Sequence, residues 1–146
     1  VANQWYVWAL LGLCAVVMLT MRARHLRVTE RAMQWPDALG LGLFAASGTQ
    51  IALDTQMPGL VAVLMGVMTA VFGGVLRDIV CNEIPSAFRD HRPYAVCAFL
   101  GGCAVVAIDR MGDMPTLALA VGSLLATVLR WVAIRFEWTL PRWRVD

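Results

Sequence analysis

Five apolar runs, each about as long as a lipid bilayer is thick, constrain this chain more than any other feature. They cover 5–21, 36–53, 58–80, 93–110 and 115–134. A helix needs roughly 17–25 residues to cross the hydrocarbon, and each run falls near that length. Their apolar residues run around the whole helix rather than along one stripe, which favours lipid over a soluble core. Composition agrees: 60% of the 146 residues are hydrophobic and 15% charged, with mean hydropathy +0.68. Soluble domains average nearer 45–50% apolar and about 25% charged. The sequence therefore predicts an all-α membrane protein, a bundle of five transmembrane helices. Pro36, Pro58, Pro93 and Pro115 stand at the start of the last four runs, where the missing N–H of proline costs a helix nothing.

The charges matter by position. All twelve basic residues are arginine, against ten acidic ones. A net charge of +2 does not suggest a nucleic-acid partner. Arg22, Arg24, Arg27 and Arg31 lie between the first two runs, and Arg89 and Arg92 lie between the third and fourth. Arg135, Arg142 and Arg144 follow the last run, whereas 54–57 holds only Asp54. Basic residues on alternate loops mark the cytoplasmic side, so the C-terminus is expected there. Trp5, Trp8, Trp35, Trp131, Trp138 and Trp143 gather near run ends, as an interfacial aromatic belt predicts.

Small residues recur at every fourth position. The stripes are Ala38–Gly42–Ala46, Gly66–Ala70–Gly74, Ala98–Gly102 and Ala118–Gly122–Ala126. In lipid such stripes let helix backbones approach closely, and a tight bundle is the expectation.

Other motifs point away from chemistry. Gly40–Ala45, GLGLFA, matches a dinucleotide pattern but lies inside an apolar helix, where that pattern carries no meaning. No nucleophile–base set or metal-ligand spacing is present, so an enzyme, a cofactor and a metal are not expected. Cys14, Cys81, Cys97 and Cys103 form no CxxC pair and read mainly as small hydrophobes. His25 and His91 lie between runs.

The stretch Met68–Val80, MTAVFGGVLRDIV, sets a glycine pair before an Arg-Asp pair inside an apolar run. Each glycine costs on the order of 1 kcal/mol against alanine in a helix, and a pair is a candidate break point. A break at Gly73 and Gly74 implies a hydrated cavity, because freed backbone groups need protein or water around them. Arg77 either snorkels to the headgroups or pairs inside the bundle. Arg77 with Asp37, and Asp78 with Arg130, are the candidate pairs, with partners expected on other helices. Ser47 and Gln50 in the SGTQ element of the second run, and Thr69 in the third, are candidates for pore lining or interhelical hydrogen bonds.

Two longer patterns make the chain resemble a known family. They are D-A-x-G-x-x-x-F-x-x-x-G-x-Q-x-A from Asp37 and G-V-x-T-A-x-x-G-G-x-x-R-D from Gly66, followed by Glu83-x-Pro85. Together they resemble the bacterial branch of the trimeric intracellular cation channel family, whose repeated domain has also been labelled a glycine transporter domain. The resemblance extends to RFEWTLP, 135–141. It implies two inverted three-helix repeats plus a seventh helix, a homotrimer in the bacterial inner membrane, and a pore through each protomer. On that pattern 1–30 holds the last helix of the first repeat, 31–112 the second repeat, and 113–146 the final helix and tail. Gly73, Gly74, Arg77 and Asp78 fall on the family's second glycine motif. The first two helices of the pattern have no counterpart here, and Val1 opens the chain without a methionine, so an N-terminally truncated member is expected. Animal members of the family carry basic residues at lipid-binding positions near their glycine motifs, whereas here Phe72 precedes the glycine pair, so the resemblance does not imply a phosphoinositide role. The resemblance implies membrane lipids as surroundings and a passive path for a potassium-like cation. A secondary transporter for glycine or another small zwitterion is the alternative, and a packing subunit without transport a third.

Overall fold

The computed structural model describes residues 8, 12, 30–80, 84–85, 93–112 and 114–137. The chain divides into two units, Val1–Ala32 and Met33–Asp146. In the first, Trp8 and Gly12 are helical and exposed; the expected span 5–21 otherwise lies outside the described residues. The contacts below belong to the second unit.

Four helices follow one another: α1 (Glu30–Asp54), α2 (Gly59–Val80), α3 (Tyr94–Gly112) and α4 (Pro115–Arg135). Three are long and apolar enough to cross a membrane: α2 over Gly59–Ile79, α3 and α4. The expected five spans are thus not all found among the described residues. α1 has the length but carries Glu30, Arg31, Asp37 and Asp54, which lower its hydropathy. It also begins earlier than expected, so Pro36 lies inside the helix rather than at its start. The preceding Glu-Arg-Ala-Met-Gln segment consists of strong helix formers, which carry the helix upstream of the proline. Pro115 does open α4, and Pro58 and Pro93 stand one residue before α2 and α3.

The α1–α2 turn explains how two long helices reverse within a few residues. Gln56 adopts φ 61°. Its N–H donates to the Leu53 carbonyl at 2.8 Å and the Met57 N–H to the Ala52 carbonyl at 3.2 Å. This paired capping pattern satisfies carbonyls left open at a helix end. Pro58 then accepts from the Ala62 N–H at 2.9 Å and begins the next helix.

The small-residue stripes are where the helices meet. Ala38, Ala46, Ala70, Ala98, Ala118 and Ala126 are all at most 2% exposed. A Cβ placed on Gly66 would collide with Thr49 and the Ala45 carbonyl, and one on Gly42 with Thr127 and the Ser123 carbonyl. Gly101 comes so close to α4 that an added Cβ would stand 2.6 Å from Ala126 Cβ. Thr49, fully buried, fills the space between Gly66 of α2 and Gly102 of α3. Large side chains point the other way. Leu60, Leu64, Met68, Phe72, Leu76 and Ile79 form an exposed stripe along α2. Small inside and large outside suits a hydrocarbon solvent, in which backbone packing rather than apolar burial joins helices.

Candidate functional site: a charge cluster at one end of the bundle

Antiparallel connection brings the start of α1, the end of α2, the start of α3 and the end of α4 to one level. Asp37, Arg77, Asp78, Tyr94 and Arg130 meet there. Arg77 Nη1 donates to Asp37 Oδ1 at 2.9 Å. Arg77 Nε and Nη2 both donate to Asp78 Oδ1, at 2.9 and 2.6 Å. The Tyr94 hydroxyl donates to Asp37 Oδ1 at 3.1 Å. The Arg130 guanidinium carbon lies 4.7 Å from the centre of the Tyr94 ring, on its face, a cation–π arrangement.

Two carboxylates and two guanidinium groups balance to zero. Asp37, Asp78 and Arg130 are 8%, 4% and 2% exposed, while the Arg77 side chain keeps 34%. Charges this buried persist in a membrane protein only when paired and hydrogen-bonded. Of the two expected pairs, Arg77 with Asp37 joins α2 to α1. The expectation that Arg77 reaches only other helices does not hold: it also wraps back onto Asp78. Its long stem turns Nε and Nη2 together onto one oxygen, a reach that helical spacing alone does not reveal.

The expected break at Gly73 and Gly74 is not found. α2 is helical without interruption from Gly59 to Val80, and no glycine has positive φ among the described residues. The two glycines differ instead in what faces them. A Cβ on Gly74 would stand 2.5 Å from Tyr94 Oη and 3.7 Å from Asp37 Oδ1. Gly74 is thus the gap through which the tyrosine crosses α2 to reach the aspartate. A Cβ on Gly73 would make only ordinary contact with Phe44, at 3.6 Å. The sequence reading missed Tyr94. Its position just after Pro93, level with Asp37, was the available signal.

A second group lies along the α1–α2 seam. Ser47, Gly48 and Gly73 are half-buried, and Thr69 is exposed. A Cβ on Gly48 would stand 2.9 Å from Thr69 Oγ1. Thr69 and Gly73 are one turn apart, and Arg77 is one turn further. The Ser47 hydroxyl donates to the Leu43 carbonyl at 2.7 Å and Thr69 to Met65 at 2.8 Å, so both bond within their own helices. Gln50 stands apart from this seam. It is 6% exposed and one turn from Ala46, which faces Gly122 of α4. Its Nε2 donates to Asp54 Oδ1 at 3.2 Å. Its Oε1 is buried without a hydrogen-bond partner among the described residues. Cys97 is buried and donates to the Pro93 carbonyl at 2.9 Å, in keeping with a packing role.

A helical bundle with lipid-suited outer faces and a neutral charge cluster at one end defines a multi-pass membrane protein. Comparison narrows the class. Residues 34–110 match the family described as glycine transporter. A UPF0126 membrane protein of Vibrio cholerae is 35% identical over 136 residues, 93% of this chain and 56% of its own length. The inner membrane protein YadS of Escherichia coli is 33% identical over 111 residues, 75% of this chain and 53% of its own. The chain thus spans little more than half the length of these relatives. Among solved structures, the TRIC trimeric intracellular cation channel orthologue from Rhodobacter sphaeroides superposes with TM-score 0.80 at 36% identity. The match covers 93% of this chain and 69% of that one. A second structure, solved in work on conductance through TRIC cation channels, gives 0.76 at 29% identity, covering 98% and 70%. The chain belongs to the bacterial TRIC family, which carries the glycine transporter domain.

Proposed function

We propose that this chain forms part of a cation channel in the bacterial inner membrane, selective for a potassium-like ion. The observation that carries the reading is the likeness to a solved TRIC cation channel over 93% of the chain at TM-score 0.80. In this reading each protomer of a homotrimer holds a pore. Residues 31–112 are the second of two inverted repeats, 1–30 end the first, and 113–146 are the last helix and a cytoplasmic tail. The path runs along the α1–α2 seam past Ser47, Thr69 and Gly73. Hydroxyls that donate to their own helix keep oxygen lone pairs for a passing cation. At the end of the seam Arg77, held by Asp37 and Asp78, opposes cations while the cluster is closed, and its release opens the way.

The test is reconstitution of the intact protein in a planar bilayer. Discrete conductance steps, carried by potassium in preference to chloride, are expected. The family description as glycine transporter favours a second reading, a carrier. Saturable glycine exchange without conductance steps would establish that reading and remove the first.

A further inference from the structure

The charge cluster leaves one group of exposed polar atoms at its own end of the bundle unused. Trp35 of α1 and Trp131 of α4 lie against each other, ring centres 5.8 Å apart at 47°. They are 59% and 41% exposed, and their indole N–H groups make no hydrogen bond among the described residues. Arg135 stands one turn beyond Trp131 on the same face of α4. It is exposed and forms no ion pair among the described residues, not even with Glu137. Towards the middle of the bundle, Leu39 and Leu43 continue the Trp35 face and Val128 continues the Trp131 face, all exposed. The α1–α4 seam behind them is closed by the tight approach of Gly42 to Ser123 and Thr127.

An apolar wall thus ends in two free N–H donors and one guanidinium. The donors suit an acceptor-only, negatively charged group at the membrane surface, and arginine matches phosphate oxygens in particular. The wall suits an acyl chain. A protein segment covering the same face would need both apolar side chains and a carboxylate at the level of Arg135, whereas one lipid molecule carries acyl chain and anion together. We propose that this seam is a binding site for one anionic glycerophospholipid. The phosphate meets Arg135 and the paired indoles, and a chain lies along Leu39, Leu43 and Val128. The inference is independent of whether the protein conducts ions.

Brominated lipids test it in the full chain. Replacing Trp5, Trp8, Trp138 and Trp143 by phenylalanine leaves Trp35 and Trp131 as the fluorophores. The protein is placed in phosphatidylcholine vesicles containing a minor fraction of acyl-brominated phosphatidylglycerol or of acyl-brominated phosphatidylcholine. Phosphatidylglycerol is expected to quench at about a fivefold lower fraction, the preference one basic residue gives at a membrane surface. Arg135→Gln should bring the two lipids to parity, and Arg110→Gln, on an exposed arginine at the other end of the bundle, should leave the preference intact. Equal quenching by both lipids in the unaltered Arg135 protein overturns the proposal in favour of a general aromatic belt. Absence of quenching by either, with Leu39→Cys cross-linking between copies, overturns it in favour of a protein contact. The comparison of the two lipids in the two-tryptophan chain that retains Arg135 decides the matter even if the arginine variant fails to insert.

Discussion

The Tyr94 hydroxyl reaches Asp37 across the surface of α2, and it can do so because residue 74 has no side chain. One hydrogen bond therefore depends on three helices. Asp37 comes from α1, the gap from α2 and the donor from α3. Tyr94→Phe removes a donor from a buried carboxylate, and a hydrogen bond to a charged group contributes roughly 1.5–3 kcal/mol. The variant is expected to lose stability in that range, measured by unfolding in a detergent series, while remaining helical.

Gly74→Ala should be harmful for a different reason. Its Cβ would press on the tyrosine hydroxyl, and overpacking costs about 1–3 kcal/mol. In the Gly74→Ala, Tyr94→Phe double variant the hydroxyl is gone and the nearest atom is the ring Cζ, 3.3 Å from that Cβ. The two losses should then fall short of additive by about 0.5 kcal/mol or more, the scale of coupling between touching residues. Strict additivity in the cycle would mean that glycine and tyrosine do not meet.

Gly73→Ala is the contrasting case. Only Phe44 faces it, at van der Waals distance, and alanine favours a helix by up to about 1 kcal/mol over glycine. Thermal unfolding should show this variant equal to wild type or more stable. A loss comparable to that of Gly74→Ala would indicate that the pair acts as a hinge after all.

These contrasts show which parts of the architecture could be read from the chain. The positions of α2, α3 and α4 and the buried stripes were legible because in lipid both depend on residue size and hydropathy, which recur with the helical period. Ala38, Ala46, Ala70, Ala98, Ala118 and Ala126 were all named from spacing, and all are buried. The Arg77–Asp37 pair was legible because unpaired charge is so costly at that depth. Tyr94 was not, because tyrosine at a span end has an ordinary role as an interfacial anchor, and only the opposite face of α2 reveals its partner. The role of Gly74 failed for the same reason. A glycine that relaxes a helix and one that admits a neighbour look identical in sequence. The early start of α1 was hidden by Pro36, which reads as a helix start but is accommodated inside one.

Gln56 offers a test of the α1–α2 reversal. A side chain at φ 61° is strained relative to glycine, by roughly 1 kcal/mol. Gln56→Gly should therefore stabilise the bundle by about 0.5–1 kcal/mol, read as a higher unfolding midpoint at unchanged helicity. A fall in the midpoint would mean that the glutamine side chain holds the turn in some other way.

Arg77→Ala separates the structural from the conductive role of the cluster. Removing the guanidinium takes three donated hydrogen bonds from Asp37 and Asp78. Breaking a fully buried pair costs about 3–5 kcal/mol, but Arg77 is one-third exposed, so a loss of roughly 1–3 kcal/mol is expected. Asp37→Asn in the same chain removes part of the stranded charge and should recover some of that loss. Conductance is expected to move in the opposite direction to stability. With no positive charge at the end of the seam, potassium current through the intact, reconstituted protein should rise, and the double variant, which also lacks the cation-attracting Asp37 carboxylate, should lose part of that rise. Planar-bilayer recordings made beside unfolding curves give both readouts. Lower stability with unchanged current would leave Arg77 as a packing element and move the path away from the α1–α2 seam.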